Sequence, residues 1–184
     1  MQSPFSIKVD GEISLSDLRK GVFISVIDAN KIPPHIGICI NGNFSSLTIK
    51  GHELNVGAGV LLKNCSLRRI PALFIKIKDH PVFSYNYLDE LLQSCIAEHK
   101  RVDVNGPTCL TPVKQFFKEG FHVDVNEIDF LFQLLPQLQK NELIVSCYSA
   151  NITNETANGN YTLPVYTKNQ IDERIEKVRL EYKN

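Results

Sequence analysis

The sequence predicts an α+β fold in which a mostly antiparallel sheet packs against helices. The predicted elements run in the order β-hairpin, further strands, two or three helices, one strand and a C-terminal helix. An Asn-Gly pair between two strand-like segments indicates antiparallel pairing. With 184 residues, 43% of them hydrophobic, the chain can bury one substantial core. We therefore expect a single domain over residues 1–184.

The first part of the chain is predicted to be rich in strands. Asp10-Gly11 lies between Phe5–Val9 and Ile13–Leu15, which predicts a small hairpin. Leu15–Lys20 reads as one turn of helix. Val22–Asp28 is a nearly unbroken apolar run, as is typical of a strand at the centre of a sheet.

The next strand, His35–Ile40, has two different faces. Three isoleucines alternate with His35, a glycine and a cysteine, so one face is core while the other leaves room beside the imidazole. Asn41-Gly42 can adopt positive φ at both turn positions, so the chain is expected to fold back through Phe44–Lys50.

The Thr108–Gly120 segment predicts a helix whose start can be located. Pro112 must lie in the first turn, because deeper in a helix proline removes a backbone hydrogen bond and clashes with a carbonyl group. Cys109 is therefore expected at or beside the helix N-terminus.

The other elements are predicted as a loop at Gly51–Gly59, a short helix at Val60–Cys65, a strand at Ala72–Lys78, helices at Tyr85–Lys100 and Asn126–Gln139, a strand at Leu143–Tyr148, a polar loop at Ala150–Tyr161 and a helix over about 168–182.

Composition narrows the classes of function. Lys plus Arg equals Asp plus Glu at 20 each, so the chain has no net positive charge that would favour binding to nucleic acid or to an anionic membrane. No apolar run is long enough for a transmembrane helix, and the N-terminus lacks a signal-peptide pattern. Five cysteines without a CxxC pair are typical of a reducing compartment. We expect a cytoplasmic protein without a cofactor, although a removed export signal would also fit.

Cys109 and His35 form a plausible nucleophile and general base. Free amide groups at a helix N-terminus favour a thiolate and can bind an oxyanion, and a nearby imidazole can accept the thiol proton. The other cysteines are weaker candidates because they lie within predicted elements. Cys39 is close to His35 but lies along the strand.

Two short motifs resemble the NlpC-type papain-like cysteine hydrolases. Gly21-Val22-Phe23-Ile24 followed by His35-Ile36-Gly37-Ile38 is similar to the family's strand core, and Thr108-Cys109-Leu110 is similar to its nucleophile helix. The helix follows the sheet here, which is the order of the circularly permuted branch that includes permuted amidases and the lecithin:retinol acyltransferase group. The resemblance covers roughly residues 21–120, the expected catalytic core, although Val22 stands where the family usually has Asp.

The resemblance implies a third catalytic residue on the strand after the histidine. A two-residue turn pairs Ile40 with Asn43, and counting back from there pairs His35 with Thr48. Thr48 is thus the first candidate. Lys50 would lie opposite after a longer turn, and His52 or Glu53 could reach in from the predicted loop.

The resemblance implies a thiol-dependent hydrolase or acyltransferase that acts on a peptide, another amide or a lipid ester. Cys109 would be the nucleophile, His35 the base and Thr48 the orienting group. The alternative is a binding or interaction protein that keeps the fold without turnover. A third possibility is a metal site formed by His35, His52, Glu53 and a cysteine, although the spacing matches no standard motif.

Overall fold

The structure is a computed structural model that describes residues 4–152 and 156–182. It is an α+β fold with a mostly antiparallel sheet, as predicted. The strands of the described part are β1 (Ser6–Lys8), β2 (Gly11–Glu12), β3 (Val22–Ile27), β4 (His35–Ile40), β5 (Asn43–Thr48), β6 (Gly51–Gly57), β7 (Ala72–Ile77), β8 (Ile144–Ala150), β9 (Thr156–Ala157) and β10 (Asn160–Thr162). The helices are α1 (Leu15–Leu18), α2 (Ala58–Arg68), α3 (Tyr85–Ala97), α4 (Leu110–Phe121), α5 (Leu131–Lys140) and α6 (Lys168–Glu181).

The main sheet has seven strands in the order β2-β8-β7-β3-β4-β5-β6. Its pairs are antiparallel except β2 with β8. The apolar β3 lies between β7 and β4, in the interior of the sheet as predicted. A small second sheet, in the order β1-β10-β9, pairs the first strand of the described residues with the last two.

Helices cover both faces of the main sheet. On one face, the isoleucines of β4 belong to a large core shared with α3, α4 and α5. On the other face, Cys39 and Phe44 belong to a smaller core with α1 and α2. The alternation in β4 therefore separates its side chains between two cores.

The predicted N-terminal hairpin is wrong. β1 pairs with β10, and β2 pairs in parallel with β8. The backbone N–H groups of Asp10 and Ile13 donate to the carbonyl oxygens of Cys147 and Ser149, so the chain runs along β8 instead of turning back. These distant strands satisfy the backbone groups that a local hairpin would have paired.

The predicted loop at Gly51–Gly59 is also wrong, because Gly51–Gly57 forms the edge strand β6. An edge strand needs only one partner, and β6 lacks the alternation of apolar residues that signals a half-buried strand. Its pairing with β5 is irregular between Phe44 and Ser46, where the Asn55 N–H donates to the Ser45 hydroxyl. This strand carries Glu53, one of the residues considered as a partner of His35.

Several boundaries of the predicted elements differ in the structure. α2 runs to Arg68, three residues beyond the predicted end. α5 begins at Leu131 rather than near Asn126, and it continues past Pro136 to Lys140. The polar segment after residue 150, predicted as loop, contains the short strands β9 and β10, while residues 153–155 of it lie outside the described residues.

Candidate active site

His35 begins β4 and is held by two residues from the following strands. Its Nε2 atom lies 3.0 Å from the Ser46 hydroxyl oxygen on β5, and that hydroxyl donates to Glu53 on β6 at 3.2 Å. Ser46 and Glu53 are direct partners in the β5–β6 pairing, and Ser46 is only 2% exposed. A carboxylate only accepts hydrogen bonds, and a hydroxyl has one proton to donate. The Ser46 proton therefore goes to Glu53, and the hydroxyl accepts from Nε2–H of His35.

This arrangement selects one tautomer of the imidazole. With the proton on Nε2, the Nδ1 atom keeps its lone pair and can act as a base. Burial lowers the pKa of His35 below its ordinary value of 6.5, while the nearby Glu53 and Asp28 carboxylates oppose this shift. His35 is therefore neutral at physiological pH, which is the state that a general base requires.

The other residues considered beside His35 lie in different contacts. The Thr48 hydroxyl donates to the Gly51 carbonyl oxygen and accepts from the Lys50 N–H, so it stabilises the turn between β5 and β6. The Lys50 ammonium lies over the ring of Tyr182. The His52 imidazole bonds to the backbone carbonyl of His99 at 2.6 Å. Of the predicted alternatives, Glu53 is the one connected to His35, and Ser46 makes the connection.

Cys109 occupies the N-cap position of α4, as its distance from Pro112 predicts. Within the described chain it is the one cysteine that is half-buried, because the other four are buried. Its thiol donates to the carbonyl oxygen of Pro34 at 4.0 Å, and the N–H of Ile36 lies close enough to lower the pKa of the thiol. The thiol therefore touches the backbone on both sides of His35.

The end of the hairpin explains how a helix reaches the backbone of β4. Pairing between β4 and β5 runs from Ile40 with Asn43 to Ile38 with Ser45. Nearer the start of β4, the carbonyl of Pro34 and the N–H of Ile36 meet the Cys109 thiol. The helix N-terminus thus reaches backbone groups at the start of β4, before the residues of β4 that pair with β5.

Burial controls the acidity of this thiol. It raises the pKa of Cys109 to about 11, although the N–H groups of Ile36, Cys109 and Leu110 oppose the shift. The resting thiol is therefore protonated at neutral pH. Any nucleophilic role requires a base that removes the proton during the reaction.

Cys109 and His35 line the same cavity, whose volume is about 550 Å³. This size lies within the range of small-ligand sites in proteins. The two side chains approach the cavity differently. Cys109 packs against the large core that contains Ile36, whereas the His35 ring lies edge-on to Phe44 of the smaller core. The two side chains therefore belong to opposite faces of the sheet at the start of β4, and residues of both faces line the cavity.

Ser46 was missed at the sequence level, although a signal for it exists. Phe44, Ser46 and Thr48 alternate along β5, so all three are candidates for the His35 face. Only the position of Glu53 shows which of the three faces His35, and the sequence predicts Glu53 in a loop, where its position is undefined.

Two negative findings apply to the described residues. Between residues 4 and 152 and between 156 and 182, no group of three or more His, Cys, Asp or Glu side chains is placed to hold a metal ion. None of the helices in these ranges combines the length and apolar character needed to cross a membrane.

Comparison of the chain with protein-family models, curated proteins and solved structures gave no match.

Proposed function

We propose that the chain is a thiol-dependent hydrolase or acyltransferase of the circularly permuted papain-like type, with Cys109 as nucleophile and His35 as general base. The observation that supports it best is the hydrogen-bonded series Glu53–Ser46–His35, which ends at the cavity that also contains the half-buried Cys109. In this proposal Ser46 replaces Thr48 as the residue that orients the imidazole.

The reaction would be acyl transfer. The Cys109 sulfur attacks the carbonyl carbon of an amide or ester while the thiol proton moves to Nδ1 of His35. The imidazolium then gives this proton to the leaving amine or alcohol as the carbon–nitrogen or carbon–oxygen bond breaks. Water or another acceptor attacks the thioester, and the free thiol is regenerated.

The backbone around the sulfur suits the charged intermediate. The N–H groups of Ile36, Cys109 and Leu110 are near enough to Sγ to lower the pKa of the thiol, so in this proposal they would also be near an oxyanion formed beside it. Such donors stabilise the oxyanion that develops on the neighbouring oxygen.

The test is alkylation of the native protein by iodoacetamide from about pH 5 to pH 10, with modified peptides mapped by mass spectrometry. If His35 is the base, the rate of Cys109 alkylation first rises with pH as His35 loses its proton, which happens below about pH 6.5. The rate then stays level through neutral pH. It rises again in the alkaline range, where the Cys109 thiolate forms with a pKa of about 11. The four buried cysteines serve as internal standards for intact folding.

The decisive variant is His35→Gln, which removes the base. It should lose the labelling at neutral pH and keep only the alkaline rise. His122→Asn is the matched control, because His122 is the exposed C-cap at the opposite end of α4 and Asn tolerates its left-handed backbone. Identical profiles for the wild type and His35→Gln would overturn the proposal.

A second candidate is a binding protein without turnover. It is favoured by the raised pKa of Cys109 and by the backbone groups that surround its sulfur. In that case Cys109 labels only in the alkaline range, and His35→Gln leaves the profile as it is.

A further inference from the structure

The C-terminal helix α6 brings an arginine, Arg174, to the cavity. Thr167 caps the helix by accepting from the Gln170 N–H, and Ile171 and Ile175 bury one side of it. Between these two isoleucines, Arg174 is half-buried and lines the same cavity as Cys109 and His35.

Arg174 differs from its neighbour Arg179 in its partners. The Arg179 guanidinium pairs with Asp103 at 2.6 Å, whereas Arg174 forms no ion pair or hydrogen bond among the described residues. The guanidinium has five donors and retains its charge, so it can bind an anion that enters the cavity. An anion inside the cavity would satisfy it.

Acidic side chains on the cavity do not supply that anion. Asp28 pairs with Lys31 at 2.9 Å, and Glu53 accepts from Ser46. Asp129 is exposed and lies between this cavity and a smaller one of about 210 Å³, so water can solvate its carboxylate.

The charge balance of the cavity indicates how much charge a ligand brings. Three acidic side chains line it, namely Asp28, Glu53 and Asp129. Four basic side chains line it, namely Lys31, Lys50, Arg68 and Arg174. His35 is neutral, so one negative charge on a ligand balances the remaining positive charge. A carboxylate carries one charge, whereas a phosphate monoester carries closer to two near neutral pH.

We propose that the acyl substrate carries a carboxylate near its scissile bond and that Arg174 binds this carboxylate. The inference rests on the proposed function, since it names the substrate class of that site. The planar guanidinium matches a carboxylate through two parallel hydrogen bonds, which fixes orientation as well as affinity. Arg174 would thus hold the substrate so that its carbonyl carbon faces Cys109.

The experiment compares two alkylating agents that differ in charge. Iodoacetate carries a carboxylate and iodoacetamide is its neutral counterpart, so their rate ratio at Cys109 measures attraction of an anion. Dividing this ratio by the ratio measured for N-acetylcysteine corrects for the different intrinsic reactivities of the two reagents. We expect a normalised ratio above one that falls roughly three- to tenfold in Arg174→Gln, the range for one partly screened charge.

Lys177→Gln is the matched control, because Lys177 is an exposed cation on α6 that is absent from the cavity lining. It should leave the ratio unchanged. A ratio that is insensitive to Arg174→Gln, with labelling that still depends on His35, overturns the carboxylate site and leaves the proposed function standing. Labelling that does not depend on His35 overturns the proposed function instead, and an Arg174-dependent ratio then supports an anion site alone.

A competition arm separates carboxylate from phosphate. Propionate and inorganic phosphate are added in turn while iodoacetamide labels Cys109. Protection by propionate that is lost in Arg174→Gln supports the proposal. Stronger Arg174-dependent protection by phosphate overturns the choice of a carboxylate.

Discussion

The Nε2 atom of His35 lies 3.0 Å from the hydroxyl oxygen of Ser46, and this short contact orients the imidazole. Ser46 in turn donates to Glu53 on the next strand. Such a hydrogen bond fixes the tautomer of a histidine and leaves its other ring nitrogen with a lone pair. The contact therefore supports a chemical role for His35, and it gives the first of three further predictions.

Removing the charge of Glu53 should change the acidity of His35. The Glu53 carboxylate favours the protonated imidazole, so Glu53→Gln should lower the pKa of His35 further. The pKa is measured by NMR titration of the imidazole protons. Glu90→Gln is the control, because Glu90 is an exposed acid on α3. Equal His35 pKa values in both variants would contradict the connection through Ser46.

Gly37→Ala should destabilise the hairpin of β4 and β5. A Cβ atom at this position would lie 2.5 Å from the Phe44 ring and 2.8 Å from the Ser45 carbonyl oxygen. Such overpacking should reduce the free energy of unfolding by about 1–3 kcal/mol. Urea denaturation measures the loss.

Gly59→Ala is the matched control for that variant. Gly59 is an exposed glycine within α2 whose Cβ would meet only Leu15 at 3.9 Å, an ordinary contact. Alanine favours helix by about 0.5–1 kcal/mol over glycine, so this variant should be more stable than the wild type. The prediction is contradicted if the free energy of unfolding changes in the same direction in Gly37→Ala and Gly59→Ala.

The free energy of unfolding should fall at both ends of the pH range. Burial raises the pKa of Cys39, Cys95 and Cys147 to about 12. Above about pH 9 the unfolded chain loses thiol protons that the folded chain keeps, so stability decreases as pH rises. Below about pH 6.5 the unfolded chain protonates His35 more readily than the folded chain does, so stability decreases as pH falls.

Urea denaturation under reducing conditions at about pH 5.5, 8 and 10.5 measures both effects. Cys147→Ala removes one buried thiol and should show a smaller loss between pH 8 and 10.5 than the wild type. His35→Gln should show a smaller loss between pH 8 and 5.5. Stability that is constant from pH 8 to 10.5 would contradict the burial of these thiols.

Local patterns predicted the parts of the site that depend on local structure. Asn41 and Gly42 have φ of 47° and 85°, and Ile40 pairs with Asn43, as the turn sequence predicts. The position of Cys109 at the start of α4 followed from Pro112, because proline is confined to the first helical turn.

Long-range pairing was not predictable in the same way. Ser46 meets His35 because β6 aligns Glu53 opposite it, and β6 is an edge strand whose exposed residues show no alternation. The sequence pattern contains no signal that β1 would pair with β10 or β2 with β8. Arg174 illustrates the same limit, since its helix was predicted but its place at the cavity was not.

The two halves of the proposed site differ in how much of the chain must fold to form them. Contacts between His35, Ser46 and Glu53 span 11 and 7 residues, whereas the contact between Cys109 and Pro34 spans 75. Short loops close at a smaller entropic cost than long ones, so the hairpins can orient the imidazole before the distant helix arrives. A partly folded chain would then hold the base without the nucleophile. In the proposed mechanism, labelling of Cys109 that depends on His35 would therefore require the helix to be folded onto the sheet, not the hairpins alone.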